Sequence, residues 1–157
     1  MKRYHRILAA IDFSRYANLV MEHAVALAKD LNAEIVLVNI INQRDIDVIA
    51  DITKREPDTR AKLSAEDYIE GVQMVRKNKM KDLLKEFETE GVNTRFVIKK
   101  GVPFQALLEA ITEEKADLMV MGVKGKTDLV DVIVGSTALK MFRRCPVPLV
   151  SIREDSH

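Results

Sequence analysis

Cysteine is nearly absent from this 157-residue sequence, which contains only Cys145. A lone cysteine forms neither an internal disulfide nor a cysteine-based metal cage, which argues against a secreted, disulfide-stapled scaffold and favours a reducing compartment. An excess of charge of one sign is also missing, because 25 Lys and Arg are matched by 24 Asp and Glu. We therefore expect neither nucleic acid nor a membrane as a partner, and any anion site must be local.

Long apolar runs are missing as well. The first run, 7–11, is too short for the hydrophobic region of a signal peptide or for a membrane span. The composition is 47% hydrophobic and 31% charged, a globular balance. The length suits one domain, since domains cluster near ~100–150 residues. We expect a single cytoplasmic domain over 1–157.

What the sequence does contain is an alternation of apolar runs with amphipathic stretches. Continuous apolar runs are typical of strands buried on both faces, and they predict strands at 7–11, 33–41, 94–98, 118–121 and 147–152. Apolar residues at three- and four-residue spacing predict four helices: one capped by Ser14, one ending at Gly91, one over 104–114 and one over 136–143. The pattern indicates the α/β class with one doubly wound parallel sheet, whose ligand crevice lies at the carboxyl ends of the strands.

The segment 42–66 departs from that alternation. It is polar and charged and carries Pro57, without a known recognition motif. We expect it to be a variable insertion or lid on the domain.

The most informative motif follows the fourth strand. Gly122-Val123-Lys124-Gly125 comes directly after it, and Gly135-Ser136-Thr137 opens the last helix. Glycines let backbone N–H groups approach a phosphate, and a helix N-terminus adds partial positive charge. The simpler alternative is a glycine turn followed by a helix that Ser136 caps.

Two other phosphate motifs can be excluded by position. Gly125-Lys126-Thr127 looks like the end of a Walker A loop, but that motif requires glycine where Val120 stands. A dinucleotide fingerprint requires G-x-G-x-x-G after the first strand, where the sequence has Asp12-Phe13-Ser14. A receiver domain is also disfavoured, because the first turn carries Asp12 alone and the last strand has no lysine.

The glycine spacing, read together with the segments 7–14 and 145–150, resembles the universal stress protein family, in particular its ATP-binding branch. The resemblance covers nearly the whole chain. It implies a sheet of order 3-2-1-4-5 in an adenine nucleotide alpha hydrolase-like fold. It also implies a homodimer through the last strand, about Val147–Ile152, with ATP lying between the first and fourth strands.

The resemblance also assigns the binding residues. Asp12 would meet the ribose, Ala10 and Ile40 would flank the adenine, and Met121 with Gly122 would close the other side; the phosphates would be held by Lys124, Gly125, Gly135, Ser136 and Thr137. From the residues alone, Asp12 is a carboxylate in need of donors at a strand end, and its alternative role is to cap the next helix. Ile40 and Met121 are equally compatible with plain core packing.

These observations favour a binding protein over an enzyme. The expected ligand is ATP, or AMP or ADP, with Mg²⁺. Asp128 and Asp131 are the only acids near the glycine motif in the sequence, and either could hold Mg²⁺ or simply be solvated. We find no residue pattern for efficient hydrolysis, no catalytic residue and no protein metal site. The leading hypothesis is a nucleotide-dependent regulatory switch in the stress response, with an unknown protein partner. The alternatives are a slow ATPase or nucleotidyl transferase, and a nucleotide-independent dimeric adaptor.

Overall fold

The computed structural model describes residues 1–55, 65–124 and 134–154. All five strands in these ranges are parallel and form one sheet of order β3-β2-β1-β4-β5, which confirms the predicted fold class and strand order. The elements are β1 Arg6–Ala10, α1 Ala17–Leu31, β2 Glu34–Asn42, α2 Gln43–Arg55, α3 Ala65–Lys85, β3 Thr94–Gly101, α4 Pro103–Glu113, β4 Leu118–Gly122, α5 Ser136–Arg144 and β5 Leu149–Ile152.

The sheet is buried on both faces because its strands alternate between two apolar clusters. On one face, Ile7 and Ile35 lie against Met21 of α1 and Met80 of α3. On the other face, Leu8 and Val36 belong to a second cluster, with the apolar sides of α4 and α5. Two covered faces explain why the strands appear in the sequence as continuous apolar runs.

The described ranges contain five helices, so the prediction of four was wrong. The additional helix, α2, lies in the segment 42–66, while 56–64 lie outside the described residues. In α2, Ile46 is buried and Ile49 and Ala50 are half-buried at three- and four-residue spacing, while the exposed positions are charged or polar apart from Val48 and Ile52. The helix is therefore amphipathic, and its apolar spacing was a signal within a charged segment. None of the helices in the described ranges is both long and apolar enough to cross a membrane.

Several element boundaries differ from the prediction. Helix α3 ends at Lys85 rather than at Gly91, because Glu86 and Phe87 donate to carbonyls three residues earlier and tighten the last turn. Gly91 ends the following turn with a φ of +79°. Strand β5 begins two residues later than predicted, at Leu149, since Pro148 has no N–H to contribute to a ladder.

Candidate functional site

A cleft of about 360 Å³ opens at the carboxyl ends of β1, β2 and β4. Nine of the ten residues predicted from the sequence line this one cleft; they are Ala10, Asp12, Ile40, Met121, Gly122, Lys124, Gly135, Ser136 and Thr137. The tenth, Gly125, lies outside the described residues. The structure therefore brings together residues that are spread over the chain from the first strand to the last helix.

The cleft exists because β1 stops before β2 does. The last pair between them joins Ala10 to Val38, and the final ladder contact runs from Ile11 N to the Val38 carbonyl at 2.9 Å. Strand β2 continues to Asn42, supported on its other side by β3. In a parallel ladder, residues alternate in the side to which their N–H and C=O point. Ile40 therefore points its backbone groups to the side where β1 has ended.

Asp12 lies in the sharp turn that follows β1. Its Oδ1 accepts a hydrogen bond from Ser14 N at 2.9 Å, and Ser14 Oγ in turn accepts one from Tyr16 N at 3.3 Å. Between them, Phe13 has a φ of +57°, a region that bulky side chains rarely occupy. Helix α1 begins only at Ala17, so Ser14 is not its N-cap as predicted. Asp12 shapes the turn and lines the cleft.

The glycine end of the cleft consists of Gly122, Lys124, Gly135, Ser136 and Thr137. It is held together by Val123, which donates to the Ile152 carbonyl and accepts from Gly135 N, each at 3.0 Å. The first intrahelical bond of α5 is Leu139 N to the Gly135 carbonyl. The N–H groups of Ser136, Thr137 and Ala138 therefore have no intrahelical acceptor and stand at the positive end of the helix dipole.

Gly135 has φ −58° and ψ 150°, a conformation open to any residue. Backbone strain therefore gives no reason for glycine at this position. The missing side chain leaves space at the mouth of α5, where a ligand could approach the backbone closely. This favours the phosphate interpretation of the glycine spacing over a simple turn.

Apart from Ile40, the residues at the opposite end of the cleft were not predicted from the sequence. This β2 end consists of Asn39, Ile40, Asn42, Asp45 and Arg76, which come from β2, α2 and α3. Asn39, 2% exposed, is the only buried polar or charged side chain in the described residues. Its position inside the apolar run 35–41 was a signal that could have been read, because a buried amide needs partners. Arg76 gave no such signal.

Asn39 and Arg76 are joined at this end. Asn39 Nδ2 donates to the Ile11 carbonyl at 2.6 Å, and Asn39 Oδ1 accepts from Arg76 Nη1 at 2.6 Å. The same Nη1 donates to the Ile40 carbonyl at 2.9 Å. Burial lowers the pKa of Arg76 from its ordinary value, an effect opposed by Tyr68 and Asp45. Arginine has so high an ordinary pKa that the guanidinium stays charged at neutral pH.

The cleft is therefore polar at both ends and apolar between them. Two strand spacings separate β2 from β4, which gives a distance of roughly 10 Å. Between the ends lie Ala10 and Met121, of which Met121 is 6% exposed and belongs to the second apolar cluster. Met121 is thus mainly a core residue that presents an edge to the cleft. The described acids that line the cleft are Asp12 and Asp45, while Asp128 and Asp131 lie outside the described residues.

Cys145 is half-buried beyond the end of α5 and is not among the residues that line the cleft. Burial raises the pKa of its thiol, partly offset by a hydrogen bond with the backbone of Val147. The neighbouring Arg143 and Arg144 are exposed. A raised pKa leaves little thiolate at neutral pH, in agreement with a structural side chain.

Comparison with known proteins agrees with this architecture. Universal stress protein MJ0577 of Methanocaldococcus jannaschii is 26% identical over 163 aligned residues, which cover 96% of this chain and 95% of that protein. A solved structure of hypothetical protein MJ0577 has the same fold, with a TM-score of 0.80 at 24% identity over 99% of this chain and 100% of that one.

Two further solved structures share the fold and hold nucleotides. One is a universal stress protein from Archaeoglobus fulgidus in complex with dAMP, with a TM-score of 0.62 at 17% identity over 97% of this chain and 100% of that one. The other is a universal stress protein in complex with cAMP, with a TM-score of 0.55 at 20% identity over 96% and 98%. A family model described as the universal stress protein family matches residues 3–153, and the chain belongs to this family.

Proposed function

We propose that the protein binds an adenine nucleotide, ATP in the first place, across the cleft and acts as a nucleotide-dependent regulatory switch. The observation that carries the proposal is the convergence of nine sequence-predicted residues on one cleft with two different polar ends. The cAMP and dAMP complexes of other family members support a nucleotide as the ligand class.

The glycine end suits the phosphates. Backbone N–H groups at the start of α5 and the hydroxyls of Ser136 and Thr137 supply donors, while the helix dipole favours negative charge. Lys124, half-buried at the end of β4, adds a positive charge. When bound with ATP, Mg²⁺ would neutralise phosphate charge; of the two described acids that line the cleft, Asp12 is the one that follows β1, the neighbour of β4.

The remaining parts of the cleft suit the nucleoside. One carboxylate oxygen of Asp12 accepts a hydrogen bond from Ser14 N. The carboxylate can accept further hydrogen bonds, including one from a ribose hydroxyl. Ala10, Ile40 and the edge of Met121 form apolar surface for a base, beside the outward-facing backbone of Ile40. The ends are roughly 10 Å apart, which matches a ligand with phosphates at one end and a base at the other.

The proposed switch rests on which helices contribute side chains to the β2 end. Asp45 belongs to α2 and Arg76 to α3, so a ligand at this end contacts the two helices that flank residues 56–64. Occupancy should therefore bias the segment 42–66, which we regard as a variable lid, and change what the protein contacts. Among the described residues, the cleft lining includes no His, Glu or Gln that could position water, so we prefer a switch over a slow ATPase or nucleotidyl transferase.

We also propose that the protein is a cytoplasmic homodimer. Strand β5 is the last strand of the sheet and pairs with β4 alone among the described strands. Its outer edge therefore offers unpaired backbone groups to a second copy. The nucleotide-independent adaptor remains the alternative if the cleft binds no nucleotide.

Thermal unfolding with and without ATP-Mg²⁺ tests the binding proposal. A ligand at about 100 times its dissociation constant should add ~2.7 kcal/mol of stability. Gly135→Val fills the mouth of α5 without backbone strain and should abolish the ATP-induced shift. The matched control is Gly71→Val, because a Cβ at Gly71 meets nothing within 4 Å. An equal shift in the wild type and in Gly135→Val would refute a phosphate site at the glycine end.

Hydrogen exchange separates a switch from passive binding. ATP should slow exchange in α2, which contributes Asp45 to the β2 end, and in the part of α3 around Arg76. Exchange across 42–66 that ATP leaves unchanged would contradict the switch. Turnover of many cycles per minute, lost in Gly122→Val, would instead favour the enzyme.

A further inference from the structure

Arg76 donates to a backbone group that a base at this end would also use. Ile40 is the residue of β2 whose N–H and C=O point into the gap beyond β1, and its carbonyl already accepts Arg76 Nη1 at 2.9 Å. The same nitrogen donates to Asn39 Oδ1 at 2.6 Å, so both of its N–H groups are used. Asn39 is itself fixed by its bond to the Ile11 carbonyl. The guanidinium is therefore held at the floor of the β2 end.

The other donors of Arg76 remain available. A guanidinium carries five N–H donors in a rigid plane, of which Nη1 supplies two. Within the described residues, every hydrogen bond of Arg76 comes from Nη1, which leaves the donors of Nε and Nη2. Because Arg76 lines the cleft, these donors lie at its β2 end. This end is thus richer in donors than bare strand backbone would be.

Purine bases differ in what they need at such an end. A 6-amino purine presents an N–H donor at position 6 and is read best by a backbone C=O beside a backbone N–H. A 6-oxo purine presents an acceptor at the same position and is read best by donors, to which a guanidinium adds charge assistance. Arg76 takes one of the two acceptor positions of the Ile40 carbonyl and adds donors, which shifts the balance from the first pattern towards the second.

We propose that Arg76 is a specificity-determining residue that lowers the preference of the cleft for 6-amino over 6-oxo purine nucleotides. The inference rests on the proposed nucleotide function, with the base at the β2 end. It assigns a role to a side chain on α3, outside the strand ends and the glycine segment that otherwise form the site. Asp45, on the neighbouring α2, lies at the same end and can accept a hydrogen bond from the N1–H of a 6-oxo purine.

The test compares ATP with ITP, which differ at position 6 and in the proton on N1. Dissociation constants are measured by calorimetry for the wild type, Arg76→Met and Arg76→Lys, with Lys77→Met as an exposed control on the same helix. Arg76→Met should raise the ratio of the ITP constant to the ATP constant about tenfold, the value of one charge-assisted hydrogen bond. Lys77→Met should leave the ratio unchanged.

Arg76→Lys keeps the experiment decisive if Arg76→Met does not fold. Lysine keeps the charge and can still reach the backbone of β2, but it has no second nitrogen to present to a base, so the ratio should rise several-fold. A ratio unchanged in the folded variants would overturn the inference while leaving nucleotide binding intact. Equal weakening of both ligands would also overturn it, since Arg76 would then act on the phosphates or on the fold. Failure of the wild type to bind either nucleotide would instead reject the proposed function and the inference with it.

Discussion

The side-chain amide of Asn39 donates to the main-chain carbonyl of Ile11 at 2.6 Å, across the point where β1 and β2 stop pairing. The amide replaces a ladder bond that the sheet can no longer make there. It also accepts from Arg76, so one buried side chain connects β1, β2 and α3. The shape of the cleft depends on this connection.

Replacing Asn39 by Leu should therefore destabilise the protein. The substitution removes the partner of the Ile11 carbonyl and one of the two acceptors of Arg76, and a buried unsatisfied group costs about 1–3 kcal/mol. We expect a loss of about 2 kcal/mol in urea unfolding. Asn18→Leu is the matched control, since Asn18 makes only an exposed 3.3 Å bond to Glu86. Similar small losses in both variants would contradict a structural role for the Asn39 bonds.

The backbone strain at Phe13, in the turn after β1, can be measured with a pair of substitutions. Phe13→Ala and Phe13→Gly both lose the contacts of the ring, including that with Lys79, but only alanine keeps a Cβ at a φ of +57°. We expect the glycine variant to be more stable than the alanine variant by about 1 kcal/mol. At exposed Met74 in α3 the order should reverse, because alanine is the better helix former. An alanine variant more stable than the glycine variant at both sites would show that the turn carries no strain.

The sugar contact proposed for Asp12 predicts a loss of discrimination. If its carboxylate accepts from the ribose 2′-hydroxyl, the wild type should bind ATP more tightly than dATP, and Asp12→Ala should bind the two alike. In Asp12→Ala the dissociation constant for ATP should rise about tenfold, which corresponds to the loss of one hydrogen bond to a charged group. Asp47→Ala, an exposed change on α2, is the control. Undiminished preference for ATP in Asp12→Ala would limit Asp12 to its bond with Ser14 N.

The raised pKa of Cys145 predicts a pH dependence of stability. Burial favours the neutral thiol, so the unfolded chain releases this proton at a lower pH than the folded protein does. The stabilising contribution is present below the ordinary thiol pKa, near ~8.5, and is lost as the pH rises through the folded value. Urea unfolding between pH 7 and 10 should show a decline that is smaller in Cys145→Ala. An identical decline in both proteins would assign it to other groups.

The sequence was sufficient to predict the parts of the molecule that follow from periodicity and spacing. Buried parallel strands leave continuous apolar runs, so the parallel sheet and the position of the cleft could be expected from the sequence, whereas the strand order came from the family resemblance. The spacing of Gly122 and Gly135 likewise predicted that the end of β4 and the start of α5 lie together. A hydrogen bond from Gly135 N to the Val123 carbonyl does join these two segments.

The β2 end could not be predicted in the same way. Arg76 is one of many charged residues in α3, and its contact with Ile40 depends on how that helix lies over the sheet. Helix α2, by contrast, could have been predicted, because Ile46, Ile49 and Ala50 follow helical spacing within a charged segment. The contact of Arg76 depends on tertiary packing between distant segments, which leaves no local periodicity.

The overhang of β2 beyond Ala10 also affects how this site tolerates substitution. The groups that Ile40 offers there belong to the main chain, so valine or leucine at this position would present the same donor and acceptor. Exchange among aliphatic residues at position 40 therefore leaves these backbone groups of the cleft unchanged. Changes in ligand preference would then arise from side chains that line the same end, such as Asn42 of β2 and Asp45 of α2.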